Sequence, residues 1–412
     1  MINYQNSSKK QLLYIEDRPM ILTDRILKCK EVLPVILRFK HLKDNFSQQY
    51  LRETEQKYPV FWVDIMIPIE QEAERFLYWQ SKKGLKVEFF LNPSEVAQYY
   101  AQTFARYLGL PSLTEEQTIC CKNKVYMKDK LNEIGLNTAK YRVVVTTEEL
   151  IEAGTVLGWP IVLKPANESS CRETYLIKNT KEAIEINLHS QHQWLAEEYI
   201  DLDEYAIDAL VFNGKIIDYY LTKYPAPLLQ TFKGAINANI TLRHISPEMK
   251  NAVEDILNKY VNGMGFRYGY IHMEYFADEE HSRVIVGEVG LRIAGSDILS
   301  NHELSFGFDI YDAVIKIHTG EYPELVYTED RFVGNLLLPI KQGIIKHIST
   351  LDELLKFDGV IDGQLKVKEG QKVKLEGAAH ECSGILLVEG QCATEVQERM
   401  LEVLNHFKLV VE

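Results

Sequence analysis

Two carboxylates stand 14 residues apart between Tyr270-Ile-His-Met-Glu274 and Glu288-Val-Gly-Leu-Arg292. Side chains alternate along a strand, so Tyr270, His272 and Glu274 are expected on one face, and Val284, Val286 and Glu288 together on one face of the next strand. The polar run from Asp278 to Arg283 suits a turn. A hairpin centred near His281 sets Glu274 opposite Glu288, with about 5 Å between their Cβ atoms. Like charges that close raise each other's pKa unless a cation lies between them. Hard oxygen ligands suit Mg²⁺, above all Mg²⁺ that carries a nucleotide phosphate. Arg292 adds a fixed positive charge beside such an anion. Read alone, the segment is equally well a surface hairpin with two solvated acids.

Lysines and further acids give the next constellation. Lys164 ends the apolar run Ile161-Val-Leu-Lys164-Pro165, where an ammonium loses hydration unless it meets an anion. The polar segment after it carries Ser169 and Ser170, which with nearby backbone N–H groups could cradle phosphate. A lysine that snorkels out at a strand end is the alternative. Lys124 opens a helical stretch and is ambiguous by itself. Glu197, Glu198 and Glu204 flank an apolar strand end; carboxylates there can accept from an adenine amino group or ribose hydroxyls. An edge strand protected by charge reads the same way.

The elements needed to hold these groups are visible in the pattern. Strand candidates Gln11 to Ile15, Phe61 to Ile67 and Lys86 to Leu91 alternate with helices Gln71 to Lys83 and Pro93 to Leu108, the latter with Asn92 as N-cap. Such alternation predicts a small parallel α/β domain. The first strand is followed by Glu16-Asp-Arg-Pro19 and not by a glycine fingerprint, which argues against a dinucleotide there. A helix over Asn123 to Leu136 and a capping box at Thr146 and Glu149 come next. Strands are expected over Trp194 to Ile200, Tyr205 to Phe212 and Lys215 to Leu221, with Asn213-Gly214 as a hairpin turn. A helix runs from Pro247 to about Val261. From Gly334 the chain turns β-rich and glycine-punctuated, then closes with a helix from Thr394 to His406.

Composition bounds the class. The 412 residues are too many for one compact core, and 46% apolar with 25% charged is ordinary for a globular enzyme. A net charge of −13 argues against nucleic acid and anionic membrane as partners. Cys29, Cys120, Cys121, Cys171, Cys382 and Cys392 form no C-x-x-C pair or zinc spacing, as expected of reduced thiols in a cytosol. The N-terminus lacks the order of a signal peptide, and no apolar run approaches the roughly 20 residues that span a bilayer. A cytoplasmic, soluble protein is the expectation.

A lysine helix, an apolar strand ending in Lys-Pro, a polar loop, the Glu-Glu-Tyr-Ile strand and a two-glutamate hairpin with arginine occur here in one order. In this the chain resembles the ATP-grasp superfamily of carboxylate–amine ligases over essentially its whole length. The resemblance implies an α/β fold, α+β in the clamp. Its parts would be a parallel preceding domain over 1–115, a lid subdomain over 116–190, a large metal-bearing lobe over 191–330 and a β-rich C-terminal subdomain over 331–412.

The same resemblance assigns roles. Lys124 and Lys164 would touch the ATP phosphates, with Ser169 and Ser170 in the lid. Glu197 and the backbone of Glu198, Tyr199 and Ile200 would form the adenine hinge, and Glu204 would bind ribose. Glu274 and Glu288 would hold Mg²⁺, for which Mn²⁺ could substitute. Arg292 would steady the acyl phosphate and then the tetrahedral intermediate, and Lys164 would join it as a catalytic residue through charge neutralisation. The stretch from Asn167 to Glu173 departs from the family pattern in having no glycine, and Gly290 stands where many members carry a metal-ligating asparagine.

The tract Glu288 to Asp297 is most similar to L-amino-acid ligases that make dipeptides for antibiotic biosynthesis, the arginine-specific type of the rhizocticin pathway among them. That implies two free amino acids as substrates, arginine in the N-terminal place, and ADP and phosphate as products; a homodimer is compatible. Small residues Ala294 to Ser296 leave room beside Arg292 for a long side chain, and Asp297 could face a guanidinium. Asp297 could equally cap a helix at Ile298. Another ligase of the superfamily, acting on a purine precursor or a carrier protein, and an ATP-binding protein without turnover are the competing readings.

Overall fold

The computed structural model describes residues 8–168, 171–188, 192–375 and 377–412. Ser169 and Ser170 lie outside the described residues. Strands β1 (Lys10–Glu16), β2 (Val32–Phe39), β3 (Val60–Val63) and β4 (Phe89–Leu91) form an all-parallel sheet in the order β3-β2-β1-β4. Strand β2 escapes an alternation rule because it is buried at every position, as strands covered on both faces are. Its Pro34 looks wrong for a central strand. Ile36 sends its N–H to Pro59 O at 2.9 Å, where pairing with β3 begins. Pro34 has the same parity but lies upstream of β3, so no ladder bond is lost there.

The helix expected from Pro93 instead spans Gln98–Tyr107, with Ala97 at its cap position. Asn92 is spent earlier: its Oδ1 accepts from Ser94 N at 3.1 Å and its Nδ2 donates to Gln98. An Asx turn thus replaces the N-cap. The helix Ile69–Lys83 ends as expected at Gly84, whose φ of 67° is the left-handed conformation of a C-cap.

Next come β5 (Tyr141–Val144), β6 (Ile161–Pro165), β7 (Tyr175–Ile177) and β8 (Trp194–Glu198), an antiparallel sheet ordered β5-β8-β6-β7. A division at residue 190 therefore cuts through this sheet, because β8 lies between β5 and β6. The sheet packs on helix Thr147–Leu157, whose capping box at Thr146 and Glu149 is formed.

The largest sheet is antiparallel and holds β9 (Asp203–Phe212), β10 (Lys215–Lys223), β11 (Ala238–Leu242), β12 (Gly269–Ala277), β13 (Val284–Gly290), β14 (Phe332–Leu338), β16 (Val360–Leu365) and β18 (Gly384–Gly390). Its order is β13-β12-β9-β10-β11-β14-β18-β16. A division at 330 likewise crosses a sheet, since β14, β16 and β18 extend the sheet that holds β12 and β13. Interleaved with and following them, β15 (Gly343–Ile348), β17 (Lys372–Val373) and β19 (Leu409–Val411) make a small separate sheet. One face of the large sheet is sealed by helix Pro247–Gly263 through Val253, Leu257 and Tyr260. The other packs on helices Ile298–Phe306 and Ile310–His318 and on the first domain. All six cysteines are free. Among the described residues no helix is long and apolar enough to cross a membrane.

Candidate active site

Strands β12 and β13 pair with Glu274 directly opposite Glu288. The register arrives there by a route that alternation does not give. Ala277 pairs with Val284 and Tyr275 with Val286, then a bulge shifts the pairing by one at Gly287. Val284 and Val286 consequently pack in the core with Met273 and Tyr275, while Glu288 turns to the opposite face and lines the cleft with Glu274. The expectation that Val284, Val286 and Glu288 share a face is therefore corrected. A bulge inserts one residue and re-aims the side chains beyond it. Gly287 suits it: a Cβ there would stand 3.1 Å from the Phe276 ring and 3.3 Å from Glu274 O.

One cavity of about 950 Å³ runs from the strand ends at Glu198, Tyr199 and Ile200 to the paired acids. Ala139, Phe276 and Ile285 give it an apolar end. Lys124, the first residue of helix Lys124–Glu133, lies 3.3 Å from Glu288 Oε1 and also donates to Glu168 O. Lys164 on β6 lies 3.1 Å from Glu197 Oε2, and Lys128 lies 3.2 Å from Glu197 Oε1. Burial opposes the Glu197 charge, but Lys128 and Lys164 outweigh it and hold its pKa below the ordinary value. Glu288 is likewise held low against burial, by Lys124 and Lys164. Lys164 keeps its proton more firmly than a free lysine: burial works against it, and Glu197 and Glu288 prevail. Glu204 is different. Burial, and then Glu274, push its carboxyl up to about 8, although Leu228 N donates to it at 2.7 Å.

A second cavity of about 1040 Å³ shares Cys171, Leu228, Glu274 and Glu288 with the first. Arg292 stands in its wall, ion-paired with Glu95 from the first domain and donating to Ile293 O at 2.7 Å. Its Nε is buried and has no hydrogen-bond partner among the described residues. Gln98, Asn237, Asn239 and Ser296 add neutral polar groups. Asn237 and Asn239 are pinned by Ala379 O at 2.8 Å and by Asn301 at 2.7 Å. Asp297 is not among the lining residues, nor does its side chain cap the helix that begins at Ile298. Asp297 does occupy the N-cap position of that helix, where its backbone carbonyl accepts from Ser300 N at 3.0 Å. Ser296 and Asp297 both take left-handed backbone, with φ of 51° and 56°.

Beneath the acids lies a polar chain. His272 Nδ1 meets Asp208 Oδ1 at 2.9 Å, and the other oxygen of Asp208 meets His302 Nε2 at 3.0 Å. His302 Nδ1 continues to Thr241 Oγ1 at 2.9 Å. Burial opposes a charge on His272, yet Asp208 and Glu274 raise its pKa to about 9. Its Nε2 lies 3.8 Å from Glu274 Oε1. Asp208 supports the imidazole that stands beside a candidate metal ligand.

Glu274 and Glu288 fit a divalent cation: two hard, opposed carboxylates, one of them held ionised. No third carboxylate, histidine or cysteine among the described residues completes a metal-binding group, so phosphate oxygens and water would supply the remaining ligands, as they do for Mg²⁺. Cys171 and Glu173, in the glycine-free stretch after Lys164, take left-handed backbone, with φ of 56° and 51°.

The structure thus brings Lys124, Lys164, Glu197 to Ile200, Glu204, Glu274, Glu288, Arg292 and Ser296 to two joined cavities. Sequence reasoning missed Lys128, Cys171, Glu95, Asp208 and His302. Lys128 was accessible, one helical turn after Lys124; the others have no local pattern.

Comparison with known proteins bears on this geometry. Residues 129–300 match the ATP-grasp domain family. The L-arginine-specific L-amino acid ligase of Bacillus subtilis is 29% identical over 280 residues, covering 65% of this chain and 66% of that one. An uncharacterized protein of Sinorhizobium fredii is 25% identical over 297 residues, or 69% of this chain and 60% of that one. The chain thus spans about two thirds or less of the length of these curated relatives. Among solved structures, an L-amino acid ligase from Bacillus licheniformis superposes with a TM-score of 0.75 at 20% identity, covering 99% of this chain and all 100% of that one. The chain carries an ATP-grasp domain, and its fold is the ATP-grasp fold.

Proposed function

We propose that this protein is an ATP-dependent carboxylate–amine ligase that joins two free amino acids through an acyl phosphate, with arginine in the N-terminal place. The observation that carries this reading is the meeting of two cavities at Glu274 and Glu288. A nucleotide in the first would present its terminal phosphate at the acids, where the second chamber opens. The arginine preference rests on similarity to the Bacillus subtilis enzyme.

In the first step a substrate carboxylate attacks the γ-phosphorus, the bond to the β-phosphate oxygen breaks, and ADP leaves. The amine of the second amino acid then attacks the acyl carbon, the C–O bond to phosphate breaks, and inorganic phosphate departs with the electron pair. The ammonium's proton is released to solvent. Mg²⁺ or Mn²⁺, held by Glu274 and Glu288, would supply neutralisation of phosphate charge. Lys124 and Lys164 would spread the negative charge of the transferring group, which is the protein's main share in such reactions. Arg292, with its idle Nε, would face the acyl oxygen. The hinge backbone from Glu198 to Ile200 would seat the base and Glu204 the ribose. The lid around Cys171 would keep water from the acyl phosphate.

The test is an incubation of purified protein with ATP, Mg²⁺ and pairs of amino acids. ADP, phosphate and a dipeptide with arginine first, identified by mass spectrometry, are the expected products. Release of AMP and pyrophosphate, or turnover that demands a nucleotide precursor or a carrier protein, would overturn the proposal.

A further inference from the structure

The nucleotide cavity contains a cation to which the two-step reaction gives no task. Lys124 and Lys128 sit four residues apart on helix Lys124–Glu133, so both ammonium groups reach one side, roughly 6 Å apart along the axis. Lys124 serves the end of the cavity where Glu288 lies, 3.3 Å away. Lys128 serves the other end, 3.2 Å from Glu197, which precedes the hinge residues Glu198 to Ile200 on β8.

The surroundings of Lys128 are unusual. Its side chain is 1% exposed. Its Nζ has no hydrogen-bond partner among the described residues, because the approach to Glu197 Oε1 is close but not directed. The second oxygen of Glu197 is occupied by Lys164 at 3.1 Å. Tyr141 offers only a ring face, 6.0 Å from the ammonium. A buried ammonium with idle N–H groups is costly. Lys128 is one of the residues that line the nucleotide cavity.

We propose that Lys128 is a nucleotide-contacting residue for the base half of the ligand. Its ammonium donates to an acceptor of the purine nucleoside monophosphate moiety, N7 of the ring or an α-phosphate oxygen. Lys124, one turn earlier, serves the terminal phosphates. Two lysines on one helix then gauge the nucleotide along its length. This inference rests on the proposed binding of ATP.

Calorimetric titration of the full chain with AMP and with ATP tests it. Lys128→Met is expected to weaken both by a similar factor, about tenfold or more for a charged hydrogen bond. Lys124→Met should weaken ATP and leave AMP within about twofold, since AMP lacks the phosphates it serves. With 7-deaza-AMP the source of the acceptor separates: a loss in the wild type that Lys128→Met does not deepen assigns N7, and no loss assigns the α-phosphate. Should Lys128→Met fail to melt cooperatively, Lys128→Arg keeps the charge beside Glu197 but displaces the donor, and AMP affinity must still change. Wild-type AMP affinity in a folded Lys128 variant overturns the inference, as does a loss confined to ATP. A wild type that binds no ATP sinks the ligase reading itself, whereas ATP binding with AMP indifferent to Lys128 sinks only this assignment.

Discussion

The two joined cavities are built by different logics. The nucleotide side gathers its charges from short runs on neighbouring strands and one helix: Lys124 and Lys128, Lys164, Glu197 and Glu204, Glu274 and Glu288. Each of these three lysines meets an acid that a strand end or hairpin delivers. The other chamber is assembled from segments far apart in sequence, from Glu95 and Gln98 through Asn237, Asn239 and Arg292 to Ala379 and His380. Beside its charged groups it carries three neutral amides, Gln98, Asn237 and Asn239, each hydrogen-bonded to a neighbour. Chemistry common to a nucleotide can be written into local motifs. If the second chamber takes the amino acids as proposed, recognition of a variable side chain falls to loops and edges that the fold brings together.

If the nucleotide side does the work ascribed to it, its metal acids should be the most sensitive positions in the molecule. Glu288→Gln keeps the shape but removes a charge that Lys124 and Lys164 help to maintain. Turnover of ATP should fall about 10²- to 10³-fold, the scale seen when one group that stabilises developing charge is removed. Phosphate release under saturating Mg²⁺ measures it. A variant that retains turnover would reduce the hairpin to a surface feature and erase the contrast between the cavities.

The support beneath the acids should show in stability first. Asp208 is wholly buried between His272 and His302. Burial opposes its charge, and the two histidines more than offset that, so its pKa lies far below the usual carboxylate range. Removing one partner of such a buried set costs about 3–5 kcal/mol. Asp208→Asn should lower the unfolding free energy by that much, measured by denaturant titration. A loss under about 1 kcal/mol would mean that packing, and not the charge of Asp208, holds this chain of side chains together.

Much of the nucleotide side could be read from residue types and spacing, because strand ends, Lys-Pro and the Glu-Glu-Tyr-Ile run are local. The pairing of Glu274 with Glu288 was legible too, but for an incomplete reason. Counting residues about His281 finds the pair, whereas alternation alone leaves Glu288 on the face of Val286. The bulge at Gly287 reconciles them, and a lone glycine in a strand is its only trace in sequence. Strand β2 was hidden by its proline and by burial on both faces. The divisions at 190 and 330 failed to respect β8 and β14 because sheet membership is a long-range property: β8 pairs with β5 and β6, and β14 with β11. Of the chamber's lining, Glu95, Gln98, Asn237, Asn239, Ala379 and His380 had no local signature.

Acidity separates Glu204 from its neighbours and offers a pH test. Its folded pKa, about 8, is raised above an unfolded value of about 4.3. The folded state therefore holds a proton that the unfolded state has lost between these values, and stability falls as pH rises through that window. Below about 4.3 both states are protonated and the penalty vanishes. Glu204→Gln should remove the penalty, so that the difference in melting temperature between variant and wild type grows from about pH 4.3 to about 8 and then levels. A difference independent of pH would mean that the carboxyl is ionised when folded, and that it meets ribose as a carboxylate.

The smallest effect is expected at Asp297, and it probes the substrate chamber most directly. Ser296 and Ile298 line that chamber, but Asp297 between them does not. Its backbone is left-handed, with φ of 56°, a conformation that asparagine tolerates well. Asp297→Asn therefore removes the charge without new backbone strain. Stability should change by no more than about 0.5 kcal/mol, as for a substitution away from any buried network, and the ranking of amino acids in the phosphate-release assay should stay the same. If arginine alone were lost from that ranking, the carboxylate would have to reach the bound guanidinium. The chamber would then extend past Ser296 toward the start of the helix, and one local residue would carry the selectivity assigned here to distant segments.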